Sequence, residues 1–193
     1  MSIQALYPGR PARPYSVPPH FVHPYPLTMD TRSLDIRPTS FDHPDAVLLN
    51  ERVQREYDER YEDGGDATVI HPAHFAPPTG LFLLVYDVEG RPVASGGWRT
   101  QRAGEEGYAD GDAELKRMYV VPEARGRGYA RKLLTLLEED ARAAGRARMV
   151  LETGDRQPEA IALYASSGYA PALRKFGHYR HYDASRCYVK PLT

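Results

Sequence analysis

A predicted strand, a turn rich in arginine and glycine, and an amphipathic helix follow one another at residues 113–145. The turn contains Arg125, Gly126, Arg127 and Gly128, and Gly145 is a helix stop signal. The apolar stripe of the helix is Ala130, Leu133, Leu134, Leu137 and Ala141. Backbone N–H groups at a helix start bind anions, and the helix dipole favours negative charge there. This segment therefore predicts a pyrophosphate site.

Composition is typical of a globular protein, and it excludes several functional classes. The chain has 193 residues, is 41% hydrophobic and 26% charged, and carries a formal net charge of −1. This charge argues against a general nucleic-acid binder, and no apolar run approaches transmembrane length. A single cysteine, Cys187, excludes an internal disulfide framework. We expect a cytoplasmic protein with no nucleic-acid partner and no membrane partner.

Two regions differ in composition. Residues 1–33 contain seven prolines and predict a weakly ordered tail without the apolar core of a secretory signal. Met29 is an alternative start, in which case residues 1–28 are an over-extended reading frame. Residues 34–193 predict one domain.

The hydrophobic pattern of this domain predicts a mixture of hairpins and strand–helix units. Asp42 and Pro44 predict a helix start, with Asp42 as the cap. Gly96 and Gly97, inside a predicted strand, indicate a bulge or a close backbone approach. Predicted strands are 34–38, 81–86, 92–98, 113–121, 148–151, 169–174 and 186–190, and a further helix begins at Pro158 and stops at Gly168.

The arginine–glycine turn differs from two other phosphate-binding motifs. A dinucleotide fingerprint needs a third glycine where Arg131 stands, and a P-loop needs a Gly-Lys-Ser/Thr ending. A tight turn with exposed arginines is the alternative interpretation. Arg125, Gly128 and Ala130 occupy the first, fourth and sixth positions of a six-residue segment. That spacing resembles the pyrophosphate-binding motif of the GNAT N-acetyltransferase superfamily.

Flanking segments strengthen this resemblance, which covers residues 34–192. Residues 114–120 resemble the fourth strand of the family, and residues 151–153 resemble the fifth. Residues 158–169 resemble its "Ala-Ile-x-Leu-Tyr-x-x-x-Gly-Phe/Tyr" helix and the strand start after it. Three segments in the correct order are more specific than one turn.

The resemblance implies an α+β fold (an α/β mixed sheet). Its central mixed, mostly antiparallel sheet contains a splayed parallel strand pair and is flanked by helices. Acetyl-CoA, as co-substrate, would enter the gap between the parted strands, and no metal is expected. Backbone groups of Met118, Tyr119 and Val120 would pair with pantetheine. Gln157 would replace an asparagine that contacts the cofactor in many members. The turn residues implied to bind the diphosphate are Arg125, Gly126, Arg127, Gly128, Tyr129 and Ala130.

Catalytic candidates follow from the same resemblance. The reaction would be direct attack of a primary amine on the thioester. Glu114 is the candidate base, since several members carry a catalytic glutamate early in this strand, and Glu152 is the second candidate. Strand alternation predicts that Glu114, Lys116, Met118 and Val120 share one face. Tyr164 is the candidate acid for the leaving thiolate. The alternatives are a surface Glu114 paired with Lys116 or solvent, and a Tyr164 that only packs.

Other polar segments have less specific interpretations. Residues 176–183, Trp98 and the loop 62–80 are candidate walls of an acceptor pocket, although a surface hairpin is the alternative for the first. The three His-x-x-His pairs lack the further ligands that a zinc site requires; they are His20/His23, His71/His74 and His178/His181. Cys187 is expected to be a buried strand thiol.

The acceptor remains open at this point. It is a small-molecule amine (a metabolite, amino acid or antibiotic) or a peptide or protein amine (an N-terminus or lysine). Two alternative functions are a transferase that uses another acyl-CoA and a catalytically idle CoA-binding module with a regulatory role. Homodimerisation is common in the family and is an expectation on that ground alone.

Overall fold

A seven-stranded sheet organises the part of the chain that the computed structural model describes, residues 35–61, 66–104 and 106–192. The predictions for residues 1–34, including the tail and the start at Met29, lie outside it. The strands are β1 (Asp35–Pro38), β2 (Gly80–Tyr86), β3 (Pro92–Thr100), β4 (Asp112–Val120), β5 (Arg148–Gly154), β6 (Ala170–Pro171) and β7 (Ser185–Pro191). The α-helices are α1 (Pro44–Arg60), α2 (Tyr129–Ala143) and α3 (Pro158–Ser166).

The sheet is mixed, as the sequence predicted. Its strand order is β1-β2-β3-β4-β5-β7-β6, and all neighbouring pairs are antiparallel except β4 and β5. The predicted mostly antiparallel sheet with one parallel pair and flanking helices is therefore confirmed.

The parallel pair is short and opens into a fork. β4 and β5 pair only at Asp112–Arg148, Ala113–Met149 and Glu114–Val150. β4 then continues to Val120 and β5 to Gly154 without pairing to each other. At the closed end, the Arg148 guanidinium donates two hydrogen bonds to the buried Asp112 carboxylate, at 2.6 and 3.0 Å.

A β-bulge changes the direction of side chains along β4. Ser95 of β3 is opposite Tyr119, but Gly97, two residues on, is opposite Lys116. β4 thus holds one extra residue in this interval, and Arg117 there has a φ of 56°. A bulge of this kind interrupts the alternation of faces.

The prediction that Glu114, Lys116, Met118 and Val120 share one face of the strand is consequently wrong for the residues beyond Lys116. A Cβ built on Gly96 would meet the Met118 side chain and Leu137, so Met118 lies on the α2 face. The Tyr119 hydroxyl instead donates to Glu56 of α1, on the opposite face. Strand alternation alone could not predict this change, because the extra residue shifts every later side chain by one position.

Helix α2 has the predicted inner face. Leu133, Leu134, Leu137 and Ala141 are buried. Gly145 has a φ of 75° and follows the helix end, and Arg146 N donates to Ala141 O at 2.9 Å.

Two local predictions need correction. The N-cap of α1 is His43 rather than Asp42, since His43 Nδ1 accepts from the Asp45 backbone N–H at 3.2 Å. The strand predicted at 169–174 is limited to β6, Ala170–Pro171. After Pro171 the chain leaves the sheet, and Phe176 packs against Tyr108 with ring centroids 5.3 Å apart.

In the described residues, no helix combines the length and apolar character needed to cross a bilayer.

Gly97 shows how closely the sheet is packed. A Cβ there would lie 2.6 Å from the Phe82 ring, 2.7 Å from the Leu81 carbonyl oxygen and 2.8 Å from the Phe75 ring. We expect Gly97→Ala to lower the free energy of unfolding by about 1–3 kcal/mol, because overpacking forces the strands apart. Urea unfolding measures this change. Gly104→Ala, at a loop glycine with open surroundings, should stay within about 0.5 kcal/mol of the parent; equal losses in both variants contradict the packing argument.

Candidate active site

The open side of the fork forms a narrow pocket, which we call the cleft. Side chains from β4, β5, α1 and α3 surround it, with Asp66 contributed by the segment after α1. Of the residues that the sequence singled out, Met118, Gln157, Tyr164 and the second base candidate, Glu152, line this cleft. Asp66 belongs to the loop 62–80 that the sequence proposed as a wall; the lining residues that sequence reasoning did not assign to a site are Tyr57, Leu115, Lys116, Arg117, Thr153 and Ala160.

Glu114 does not line the cleft but lies fully buried at the last residue pair of the fork. Its carboxylate accepts from Arg99 Nε at 2.7 Å, Gln101 Nε2 at 2.5 Å and the Tyr108 hydroxyl at 2.8 Å. Lys116 Nζ is 3.2 Å away. Burial opposes ionisation, yet the charges of Lys116 and Arg99 and these hydrogen bonds hold the pKa of Glu114 below its ordinary value. Such a carboxylate is a poor proton acceptor.

Glu152 has the opposite electrostatic character. It lies on β5 beside the cleft, accepts a hydrogen bond from the Ser185 hydroxyl at 2.8 Å and another from the Tyr179 backbone N–H at 3.3 Å. Burial raises the pKa of Glu152, and these two donors together with the Lys116 charge offset only part of that effect. The raised pKa makes the carboxylate of Glu152 a better proton acceptor than that of Glu114.

Tyr164 projects from α3 and lines the cleft. Its ring packs edge-on against Tyr169, with centroids 5.7 Å apart. Burial raises the pKa of the Tyr164 phenol. The alternative of a packing tyrosine and the candidate role as a proton donor are therefore compatible, because a buried phenol stays protonated.

The arginine–glycine turn has a conformation that requires glycine. Gly126 and Gly128 have φ values of 75° and 81°, and a Cβ on either would meet no atom within 4 Å. Backbone conformation, not crowding in the protein itself, therefore selects glycine. Gly128 is the N-cap of α2 and provides no side-chain cap, which leaves the first-turn amides of Tyr129 and Ala130 without a capping oxygen from that residue.

The two arginines of this turn have different partners. Arg127 is exposed, and its guanidinium donates to the Glu123 carbonyl oxygen at 3.3 Å. Arg125 forms two hydrogen bonds with the Glu56 carboxylate, at 2.6 and 2.8 Å, and a third with the Val120 carbonyl oxygen at 3.0 Å. The charge of Arg125 is thus already paired, and this residue fixes the turn to α1 and to the end of β4.

Gln157, the N-cap residue of α3, borders the cleft at the predicted position. Its side-chain amide donates to the Tyr61 hydroxyl at 3.3 Å. That contact holds the amide at the edge of the cleft, whereas the replacement of a family asparagine stays a prediction.

Trp98 is not a wall of the site, contrary to the prediction. Its side chain is 1% exposed, and its indole N–H donates to Asp140 of α2 at 2.7 Å. The alternation of β3 directs it into the core on the α2 face, whereas Arg99 next to it reaches Glu114.

The segment 176–183 packs against Glu152, which lines the cleft. A Cβ on Gly177 would lie 2.6 Å from a Glu152 carboxylate oxygen, and the Tyr179 hydroxyl accepts from the Ala67 backbone N–H at 2.6 Å. This segment therefore covers Glu152 and is more than a surface hairpin.

Cys187 is buried as predicted, and burial raises the pKa of its thiol. Within the described residues, no group of three or more potential ligands is placed to hold a metal ion.

The Glu114 network generates a stability prediction. Glu114→Gln should lower the free energy of unfolding by about 3 kcal/mol, because Lys116 and Arg99 lose their buried carboxylate partner. The folded-state pKa of Glu114 is depressed, so its contribution is full above the unfolded value of about 4.3 and disappears as pH falls through the folded value. Denaturant titrations at several pH values measure this difference.

A matched control for that measurement is Glu139→Gln, at an exposed position of α2. It should change stability by less than about 0.5 kcal/mol. A similarly small loss for Glu114→Gln, independent of pH, contradicts the proposed charge network.

Comparison with known proteins agrees with this geometry. The model of the acetyltransferase (GNAT) family matches residues 46–169, more than half of the chain. The chain is 31% identical over 159 residues to the uncharacterized N-acetyltransferase YjgM of Escherichia coli K12, covering 81% of this chain and 91% of that protein. It is 45% identical over 82 residues to an IAA acetyltransferase of Azospirillum brasilense, covering 42% of this chain and 53%, about half, of the relative.

A solved structure from Klebsiella pneumoniae, described as an acyl-CoA N-acyltransferase, has the same fold. Its TM-score is 0.66 at 28% identity, and the alignment covers 83% of this chain and 98% of that structure. A GNAT-family acetyltransferase from Staphylococcus aureus, at 16% identity and a TM-score of 0.63, supports the fold as well. The predicted family is thereby confirmed, and this chain belongs to the acetyltransferase (GNAT) family.

Proposed function

We propose that this protein transfers an acetyl group from acetyl-CoA to a primary amine by direct attack. The observation that carries the proposal is the fork between β4 and β5, which opens beside the arginine–glycine turn and has Glu152 and Tyr164 in its cleft. Family membership supports an acyl-CoA-dependent acyltransferase, and the relatives described as N-acetyltransferases support an amine acceptor.

The carrier would bind along the open edge of the fork. Beyond Glu114, β4 has no strand partner on the β5 side, so the amides of pantetheine can pair with its backbone like an added strand. The diphosphate would reach the amides of residues 126–130 at the start of α2, where the helix dipole favours negative charge. Arg127 is exposed and adds positive charge there, whereas Arg125 holds the turn in position.

Glu152 would be the base in this mechanism, in preference to Glu114. The acceptor arrives as an ammonium ion and must lose a proton before its nitrogen attacks the thioester carbon. Glu152 borders the cleft and has a raised pKa, whereas Glu114 is enclosed by donors and has a lowered one. The proton would pass to Glu152 directly or through one water molecule.

Tyr164 would supply a proton at the end of the reaction. Attack by the amine forms a tetrahedral intermediate, whose collapse breaks the carbon–sulfur bond and forms the amide. The nitrogen loses its second proton in this step, and that proton restores the Tyr164 phenol after the phenol has protonated the thiolate. The departing thiolate needs a proton, and the buried phenol of Tyr164 holds one at the wall of the cleft. A backbone N–H of the open β4 edge would stabilise the oxyanion of the intermediate.

The turn can be tested with a pair of equally strained variants. Gly128 and Gly90 have φ values of 81° and 76°, and neither has a neighbour that a Cβ would meet. Alanine at either position should cost about 1 kcal/mol of stability. Only Gly128→Ala should weaken CoA binding, by about tenfold, because one charge-assisted backbone hydrogen bond to phosphate is distorted.

Isothermal titration calorimetry with CoA measures that difference. Gly90 lies in the β2–β3 turn, away from the fork, so Gly90→Ala should keep the parental affinity. Equal affinities for both variants would place the diphosphate elsewhere.

The catalytic pair is tested by turnover with acetyl-CoA across a panel of amines. Glu152→Gln should reduce kcat/KM by about 10²- to 10⁴-fold and remove the fall in rate toward low pH, because the group that must be deprotonated is gone. Tyr164→Phe should reduce kcat by about 10²-fold with CoA affinity retained.

Two controls accompany these variants. Glu139→Gln changes an exposed carboxylate, and Tyr188→Phe removes a hydroxyl from a ring 6.4 Å from Tyr164 that does not line the cleft. Both should turn over normally. Unchanged rates for Glu152→Gln and Tyr164→Phe contradict the assignments, and CoA binding without turnover of any amine supports a regulatory CoA-binding module instead.

A further inference from the structure

A second concave space adjoins the cleft, and we call it the groove. It has a volume of about 450 Å³ and lies between α1 and the segment 66–72. Arg117 lines both the groove and the cleft. Asn50, Gln54 and Tyr57 follow one another at spacings of four and three residues and so lie on one side of α1. Asn50 and Gln54 line the groove, whereas Tyr57 lines the cleft. The two spaces are therefore adjacent along this helix, with Arg117 between them.

Three buried polar atoms of residues that line the groove have no hydrogen-bond partner in the described chain: Arg117 Nε, Asn50 Oδ1 and Thr68 Oγ1. An unsatisfied buried donor or acceptor is costly, and such groups in native structures usually serve a ligand. Arg117 Nε is a charged donor, Asn50 Oδ1 is an acceptor and the Thr68 hydroxyl can do either, so together they fit a ligand with both a carboxylate and an N–H group.

Arg117 is held only weakly by the protein. Its side chain is 9% exposed, and its terminal nitrogens lie 3.3 Å from Gln54 Oε1, 3.4 Å from an Asp66 carboxylate oxygen and 3.5 Å from the Asp66 carbonyl oxygen. Good guanidinium–carboxylate pairs are shorter, at about 2.7–2.9 Å. The strained φ of 56° nevertheless positions this side chain between the two spaces.

The charges around Arg117 leave room for a further anion. Asp66 is shared between Arg117 and Lys116, whose Nζ is 3.9 Å away. Lys116 also forms an ion pair with Glu114, and Glu114 forms another with Arg99. The ion pairs of this cluster thus join three cations to two carboxylates. Glu152, a third acidic group, interacts with Lys116. A ligand carboxylate would therefore act on Arg117 itself, as a closer anionic partner than the shared Asp66.

The rest of the groove has apolar walls and an acidic rim. Phe41, Ile70 and Pro72 supply apolar surface, and the exposed Asp42 and Glu51 lie at the edge. The apolar walls suit the aliphatic or aromatic side chain of a small acceptor. The acidic rim disfavours a polyanion.

We propose that the acceptor is a carboxylate-bearing amine of the amino-acid class, held at its carboxylate by Arg117 with its side chain in the groove. This proposal rests on the proposed acetyl transfer. Because Arg117 also borders the cleft, a carboxylate fixed there directs the neighbouring amine toward Glu152. Arg117 is a binding residue in this account, and the carboxylate–guanidinium contact selects the substrate.

Equilibrium binding to the CoA-saturated full-length protein tests the proposal without depending on turnover. Each probe set shares one side chain: leucine, leucinamide and 3-methylbutylamine, or phenylalanine, phenylalaninamide and 2-phenylethylamine, with the same design for the other apolar amino acids. In at least one set, the free amino acid should bind about 10- to 100-fold more tightly than both partners, as a charge-assisted contact predicts.

Variants test whether the preference for the free amino acid arises at Arg117. Arg117→Gln should reduce it to within about twofold, and Asn50→Asp, which adds a negative charge to the groove, should weaken it as well. Arg55→Gln, an exposed arginine on α1, is the matched control and should keep it. Retained CoA affinity verifies the fold of each variant, and Asn50→Asp decides the question if Arg117→Gln does not fold.

The outcomes separate this proposal from the proposed function. Equal binding of the carboxylated and uncarboxylated members in every set, or a preference that survives both Arg117→Gln and Asn50→Asp, overturns the carboxylate site even if amines are acetylated. A preference that Arg117→Gln abolishes supports the site even if no amine is acetylated, and in that case the transfer reaction itself fails.

Discussion

The short ladder between β4 and β5 is the constraint on which the site depends. The strands are paired over three residue pairs, between the Asp112–Arg148 ion pair at one end and the Glu114 network at the other. Beyond that point, backbone donors and acceptors that a sheet would normally satisfy face a gap. The closed part of the fork therefore has charged contacts at both of its ends, and a strand-like ligand can complete the open edge beyond it.

Two glutamates on these neighbouring strands show how environment divides their roles. Glu114 accepts hydrogen bonds from Arg99, Gln101 and Tyr108 and has a lowered pKa. Glu152 is partly buried with fewer donors, and its pKa is raised. Carboxyl groups with diverging pKa values in one site are a common arrangement for acid–base work. On this basis we propose a structural role for Glu114 and proton transfer by Glu152, which alone of the two lines the cleft.

Much of this site could be predicted from sequence, because its signals are local. Gly126 and Gly128 lie in the turn that the sequence predicted before a helix, where both have positive φ, and the leucines of the predicted apolar stripe of α2 are buried. The bulge at Arg117 could not be predicted in the same way. Gly96 and Gly97 indicated an irregularity, but the extra residue is on the partner strand. The choice between Glu114 and Glu152 depends on donors distant in sequence, which a local pattern does not contain.

Amide hydrogen exchange with and without CoA tests the central claim most directly. The account predicts that CoA slows exchange at residues 126–130 and along the β5-facing edge of β4 after the bulge. The amides of residues 112–114, which lie in the paired part of the fork, should change little. Unchanged exchange along the open edge of β4 and in the turn, with new protection elsewhere in the protein, would contradict the claim that the fork holds the carrier.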